Sequence, residues 1–315
     1  MIQRAVDNYR SLALIPDSCM HNKQSYTSHN IIASMESAER KHPTYSFFVR
    51  HIALPQDHGS WVFLLSPLLI GLFTAMNWSA ATKYLVLCSF SAFLIRQPVT
   101  IAVKAYSGRR SHRELPAAWF WIAVYGLIAS CGLVGLFMLG FGYLLYLAIP
   151  GIPVFVWHLY LVSRREERRQ LGIELVGSGV LALAAPAAYW TGVGRPELIG
   201  WLLFLLVWLQ SAASIVYAYL RLEQRTIDIV PKPLELLRLG KRAILYATFN
   251  LTCAGLISLV HLTSPWIFLP YLLQWLETLQ GVFNPAIKQK PTAIGVRQLI
   301  VSTLFTILFI LAWHV

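Results

Sequence analysis

Nine times after residue 60 the sequence runs through roughly 20 residues that are almost all apolar, and this recurrence restricts the fold more than any other feature. A helix of about 20 such residues, rising 1.5 Å each, crosses a hydrocarbon core about 30 Å thick. Inside lipid the backbone finds no water to bind, so each segment must satisfy its own amides as a helix. The stretches are Trp61–Trp78, Ala80–Ile95, Ala117–Leu139, Gly142–Val162, Leu171–Thr191, Leu198–Leu220, Ala243–Leu262, Ser264–Phe283 and Val296–Val315. A soluble domain has about 25% charged residues; this chain has 13%, with 57% hydrophobic. The expected fold is an all-α integral membrane protein, a bundle of about nine transmembrane helices. Residues 1–50 are polar and rich in Ser, His and Asn, with no apolar run of signal-peptide length, and are expected to be a disordered tail. Residues 51–315 form the transmembrane domain.

The charge pattern supplies an orientation. Lys and Arg number 26 against 14 Asp and Glu, a net charge of +12. In a soluble protein this excess would suggest nucleic acid. In a membrane protein it marks the cytoplasmic face, so no nucleic-acid partner is expected. With the N-terminus cytoplasmic, 24 of the 26 basic residues fall in the tail or in the segments after the second, fourth, sixth and eighth stretches, with Arg297 at the head of the ninth counted in the last of these. Only Lys83 and Arg195 fall outside. The N-terminus is therefore expected in the cytoplasm and the C-terminus outside, in a multi-pass protein of the inner (plasma) membrane. The four cysteines form no CxxC pair, and HExxH and Gly-rich phosphate loops are missing, so no metal and no cofactor are expected.

Three kinds of site stand out. Before the first stretch, His51 to Trp61 places Asp57 beside His58 between Pro55 and Gly59, a pairing suited to proton handling or ligand binding. The competing reading is a helix entry whose polar groups bond to neighbouring loops. After the second stretch come Arg96 and Gln97, then Lys104, Arg109, Arg110, Arg113 and Glu114. Arginines suit phosphate through paired hydrogen bonds, although positive-inside topology alone also collects them there. The third kind lies within the membrane, where polar side chains are costly and turn towards the bundle interior. Gln274, Glu277, Gly281 and Asn284 share one helical stripe, and Gln210, Ser214, Tyr217 and Arg221 share another. Asn250 adds to them. The expected arrangement is a polar cavity open to the cytoplasm, with Glu277 facing inward near Asn250 and Tyr217. Plain interhelical hydrogen bonding is the simpler alternative.

The segments LPQDHGSW, LIRQPVTIAVKAYSGRR, SIVYAYLRLE and AIGVRQL together resemble the YwiC-like family of bacterial integral membrane proteins over residues 51–315. At Ser66 the chain departs from the family pattern, in which an acidic residue often stands. The resemblance implies a fold and topology but no reaction. The layout also resembles that of UbiA-type prenyltransferases, whose two Asp-rich motifs hold Mg²⁺ against a prenyl diphosphate. Here the loop after the second stretch offers only Glu114, and the loop after the sixth offers Glu223, Asp228 and Glu235 without a DxxxD spacing. The favoured expectation is binding of a membrane lipid, a quinone or an isoprenoid in the cytoplasm-facing cavity. A prenyltransferase with degenerate motifs and a small-solute transporter are the alternatives.

Overall fold

A computed structural model of the chain describes residues 50–55, 58–166 and 171–315, and of His58 the backbone alone. Residues 1–49 and Asp57 lie outside the described residues. The rest is helical, with no strand among the described residues. The main helices are α1 (Val62–Ala75), α2 (Ala80–Tyr106), α3 (Leu115–Met138), α4 (Gly151–Arg164), α5 (Leu171–Ala182), α6 (Ala184–Val193), α7 (Leu198–Gln224), α8 (Pro233–Leu259), α9 (Phe268–Phe283) and α10 (Pro291–His314). With α5 and α6 taken as one interrupted pass, the described residues make nine passes. Seven spans are long and apolar enough to cross a membrane. The two shorter ones are α1 and α9, with 14 and 16 residues.

Local chemistry sets the helix ends. Proline lacks an amide hydrogen and its fixed φ suits a first turn; Pro116, Pro233 and Pro291 occupy the first turns of α3, α8 and α10. Pro186 separates α5 from α6, because its ring displaces the carbonyl four residues back, at Ala182. Gly194 takes φ of 86° and ends α6 by donating its N–H to the Trp190 carbonyl at 2.8 Å.

Packing places α7 at the centre, against α1, α5, α6, α8, α9 and α10. Its apolar core joins Leu203, Leu206 and Val207 to Ile70 of α1, Ala185 and Ala188 of α6, Tyr271 of α9 and Phe305 and Phe309 of α10. Helix α1 approaches α6 so closely that a methyl group on Gly71 would land on the Ala185 carbonyl oxygen. The outer helices instead present apolar side chains outward, such as Leu127, Val134 and Phe137 on α3 and Leu256 and Leu259 on α8. An apolar exterior of this kind is stable only in lipid.

Three expectations change. Helix α2 continues to Tyr106, past the end near residue 100 expected for the short second stretch, so Arg96 and Gln97 lie well inside the helix. Helix α8 starts at Pro233, which converts much of the expected basic loop before Ala243 into helix and leaves only residues 225–232 as the connection. Trp190 stands at the end of the fifth apolar stretch, where an amphipathic ring is expected at the headgroup level, yet it is 4% exposed and donates to the Glu197 carbonyl at 2.9 Å. The cause is common to the first two: an amphipathic helix can extend past the apolar run that announces it, because basic side chains reach the interface along their stems.

Candidate functional site

The two intramembrane stripes do meet. Gln274 of α9 donates to the Gln210 carbonyl at 3.0 Å and to Ser214 Oγ at 3.1 Å, and Gln210 donates to the same hydroxyl at 3.1 Å. One turn nearer the basic end, Tyr217 OH donates to Glu277 Oε1 at 3.0 Å. Gly281 makes this crossing possible, since a methyl group there would land on the Tyr217 hydroxyl. A further turn on, Arg221 is 2% exposed and donates to the carbonyls of Gly281 at 2.8 Å and Asn284 at 2.6 Å. Those carbonyls belong to the last turn of α9, where helical partners run out and the dipole favours a cation. Gln224 completes the cap by donating to the Gly281 carbonyl at 3.1 Å and accepting from Ala286 N at 3.2 Å. Arg221 thus closes a helix end, with its guanidinium turned away from the bundle surface.

The residue that sequence reasoning missed is Arg297. Counted there as a loop charge, it lies within α10, six residues past Pro291 and so about 9 Å into the helix. Glu277 lies six residues before Phe283, at a matching depth of about 9 Å on the antiparallel neighbour. The two form a bidentate pair, Arg297 Nε to Glu277 Oε1 at 2.6 Å and a second guanidinium nitrogen to Oε2 at 2.9 Å. Arg297 also donates to Gln280. Two signals would have found it: Pro291 as a helix start, and the four-residue recurrence Gln298, Ser302, Thr306 that marks the inward face of α10. Gln298 donates to the Ser214 carbonyl at 3.0 Å, and Thr306 meets Ser66 Oγ at 2.6 Å. Ser66 is thus a buried contact between α1 and α10.

The other candidates sit apart from this network. Asn250, expected beside Glu277, instead donates to the Leu209 carbonyl at 2.6 Å and ties α8 to α7. Gln97 donates to the His51 carbonyl at 3.0 Å, and Tyr125 to the Ala53 carbonyl at 2.9 Å, which pins the entry segment onto α2 and α3. The Arg96 guanidinium lies 5.9 Å from the centre of the Phe93 ring. Asp57 lies outside the described residues, and so does the His58 side chain.

Little space remains inside. Where an open cavity was expected, the stripes close on each other around about 10 Å³, lined by Ser214, Tyr217, Gln274, Glu277, Thr278 and Gln298. The larger space is an outward-facing groove of about 590 Å³ along α10, lined by Thr292, Ala293, Val296, Arg297, Ile300 and Val301. Arg297 stands between the two, with its side chain 40% exposed while that of Glu277 is 12% exposed. No group of three His, Cys, Asp or Glu side chains is placed to hold a metal among the described residues.

Apolar flanks, membrane-length helices and a polar network confined to the interior define a polytopic α-helical membrane protein. Within that class, residues 54–189 match the family model described as YwiC-like protein. The uncharacterized protein YwiC of Bacillus subtilis (strain 168) is 28% identical over 154 residues, 48% of this chain and 59% of that relative. The chain thus spans about three-fifths of that relative's length. No solved structure matches. The polar network, from Gln210 to Gln298, lies C-terminal to the family match.

Proposed function

We propose that this protein binds a membrane amphiphile with an anionic head, seated in the groove along α10 with its head on Arg297. The observation that carries the reading is the combination of a groove of about 590 Å³, walled by Ala293, Val296, Ile300 and Val301, with a single guanidinium set into it. Val296 and Ile300 are more than half exposed, as suits a wall shared with acyl chains. The bidentate bond to Glu277 leaves part of the Arg297 fork pointing outward, and a guanidinium matches phosphate geometry. A phospholipid and an isoprenoid phosphate share this chemistry, an apolar chain ending in phosphate.

The test is a retention assay by native mass spectrometry on the full chain. Phosphatidylglycerol and polyprenyl phosphate are compared with phosphatidylcholine of matched chain length and with a neutral quinone. The reading expects either anionic probe to survive detergent exchange better than the neutral ones. Preference should vanish in the double variant Arg297→Gln/Glu277→Gln, which leaves no charge unpaired. Equal retention of all probes, or preference for the quinone, would refute the reading. Incubation with a prenyl diphosphate and Mg²⁺ supplies a further arm, in which efficient prenyl transfer would overturn a purely binding role.

A further inference from the structure

We infer that the small space between α7, α9 and α10 is a binding site for one internal water, which joins the Ser214 hydroxyl to the amides of Gln274 and Gln298 beside the Glu277–Arg297 pair. Two buried oxygens point to it. Gln274 Oε1 and Gln298 Oε1 have no hydrogen-bond partner among the described residues, and Gln274 is 6% exposed. Both side chains line the same cavity of about 10 Å³. Turning the amides round does not relieve them. Gln298 Nε2 bonds the Ser214 carbonyl, and Gln274 Nε2 bonds the Gln210 carbonyl. Either flip would set oxygen against oxygen.

An unpaired buried polar group costs about 1–3 kcal/mol, so two in one place mark a missing donor. The volume corresponds to about one probe sphere, the least that holds a water, and a water needs two to four polar partners. The site supplies them. The two amide oxygens accept the two water hydrogens. Ser214 Oγ already accepts from Gln210 and Gln274, so its own hydrogen is left to donate to the water oxygen. Glu277 keeps its bonds from Tyr217 and Arg297 and takes none from the water, whose two hydrogens go to the amide oxygens.

A dehydrated monovalent cation would also suit carbonyl oxygens, but charge argues against it. Glu277 is already neutralised by Arg297, so a second cation would enter beside a guanidinium without a counter-charge. A neutral ligand that donates two hydrogens fits the unpaired groups, and water is that ligand.

The experiment is X-ray hydroxyl-radical footprinting of the full chain in nanodiscs, read by mass spectrometry. Radicals formed from a bound water label the side chain beside it even when bulk solvent is excluded. Tyr217 borders the cavity and Tyr271 is the control, since both are buried and Tyr271 donates to the Leu206 carbonyl away from it. Tyr217 should be labelled several-fold more than Tyr271, equally in sodium and in choline buffer. Gln298→Leu, which removes one acceptor, should bring Tyr217 down towards the Tyr271 level. Labelling of Tyr217 no higher than that of Tyr271 in the unmodified protein would overturn the inference. So would protection of Tyr217 that depends on sodium, or labelling unchanged by Gln298→Leu.

Discussion

Glu277 and Arg297 are worth more to each other than either is to the fold alone. In lipid a lone charge at depth costs roughly 2.5–3.5 kcal/mol on insertion scales, and a bidentate pair removes most of that by matching every charge with a partner. Removing one member leaves the other exposed to the penalty, whereas removing both need not. Glu277→Leu should therefore lower the melting temperature in detergent more than Glu277→Gln. The glutamine keeps an acceptor for Tyr217 and for one guanidinium nitrogen. The double variant Glu277→Leu/Arg297→Leu should recover part of the loss seen in Glu277→Leu. Thermal unfolding of the unmodified protein, Glu277→Leu, Arg297→Leu and the double variant forms a double-mutant cycle, and strict additivity would contradict the pairing. The acid was legible in the sequence as a polar position on a helical stripe. Its partner was not, because a basic residue just past a loop looks the same whether it caps a loop or lies one and a half turns inside a helix.

Between elements, α1 and α6 approach backbone to backbone. Gly71 meets the Ala185 carbonyl oxygen, a backbone atom that cannot rotate away, and its built methyl would also lie 2.7 Å from the Ala188 Cβ. Gly71→Ala should thus force the helices apart at about 1–3 kcal/mol, the usual cost of overpacking. Gly126→Ala on α3 meets nothing within 4 Å and should be neutral or raise stability by up to about 1 kcal/mol through helix propensity. Thermal unfolding of both variants separates the two cases; a harmless Gly71→Ala would deny the close contact. The passes themselves were readable from apolar runs, since burial in lipid writes itself into every side chain of a span. Helix starts at Pro233 and Pro291 were harder, because the apolar signal begins only where the hydrocarbon does. Closure of the polar stripes was not readable at all. Spacing shows that Gln210, Ser214, Gln274 and Glu277 share faces, while whether two faces touch depends on Gly281 and on how tightly α7 and α9 pack.

At the scale of the whole molecule, the passes alternate, so residues 107–114, 165–166, 225–232 and 284–290 emerge at one end and Gly194 at the other. The first end carries Arg109, Arg110, Arg113, Arg165, Arg225, Lys232, Lys288 and Lys290; Arg195 stands alone by Gly194. Anionic lipid on the cytoplasmic leaflet attracts each surface Lys or Arg by about 1 kcal/mol, and the first spans are oriented by the same bias. Inverting the bundle would forfeit that attraction at every one of these connections at once. The interrupted pass from Leu171 to Val193 sets the direction of every later helix. Were α5 and α6 to turn back at Leu183 instead of crossing, Gly194 would emerge on the basic side and all later helices would reverse. The continued core, in which Ala182, Ala185 and Ala188 pack with Leu203 and Leu206 of α7, favours a full crossing. Alkaline phosphatase and fluorescent-protein fusions decide it. Fusions after residue 110 and after residue 230 should report cytoplasm, and those after Gly194 and His314 should report the outside. A cytoplasmic signal at Gly194 would reverse α7 to α10, bring Arg297 and its groove to the other leaflet, and remove the case for an anionic headgroup drawn from the cytoplasmic side.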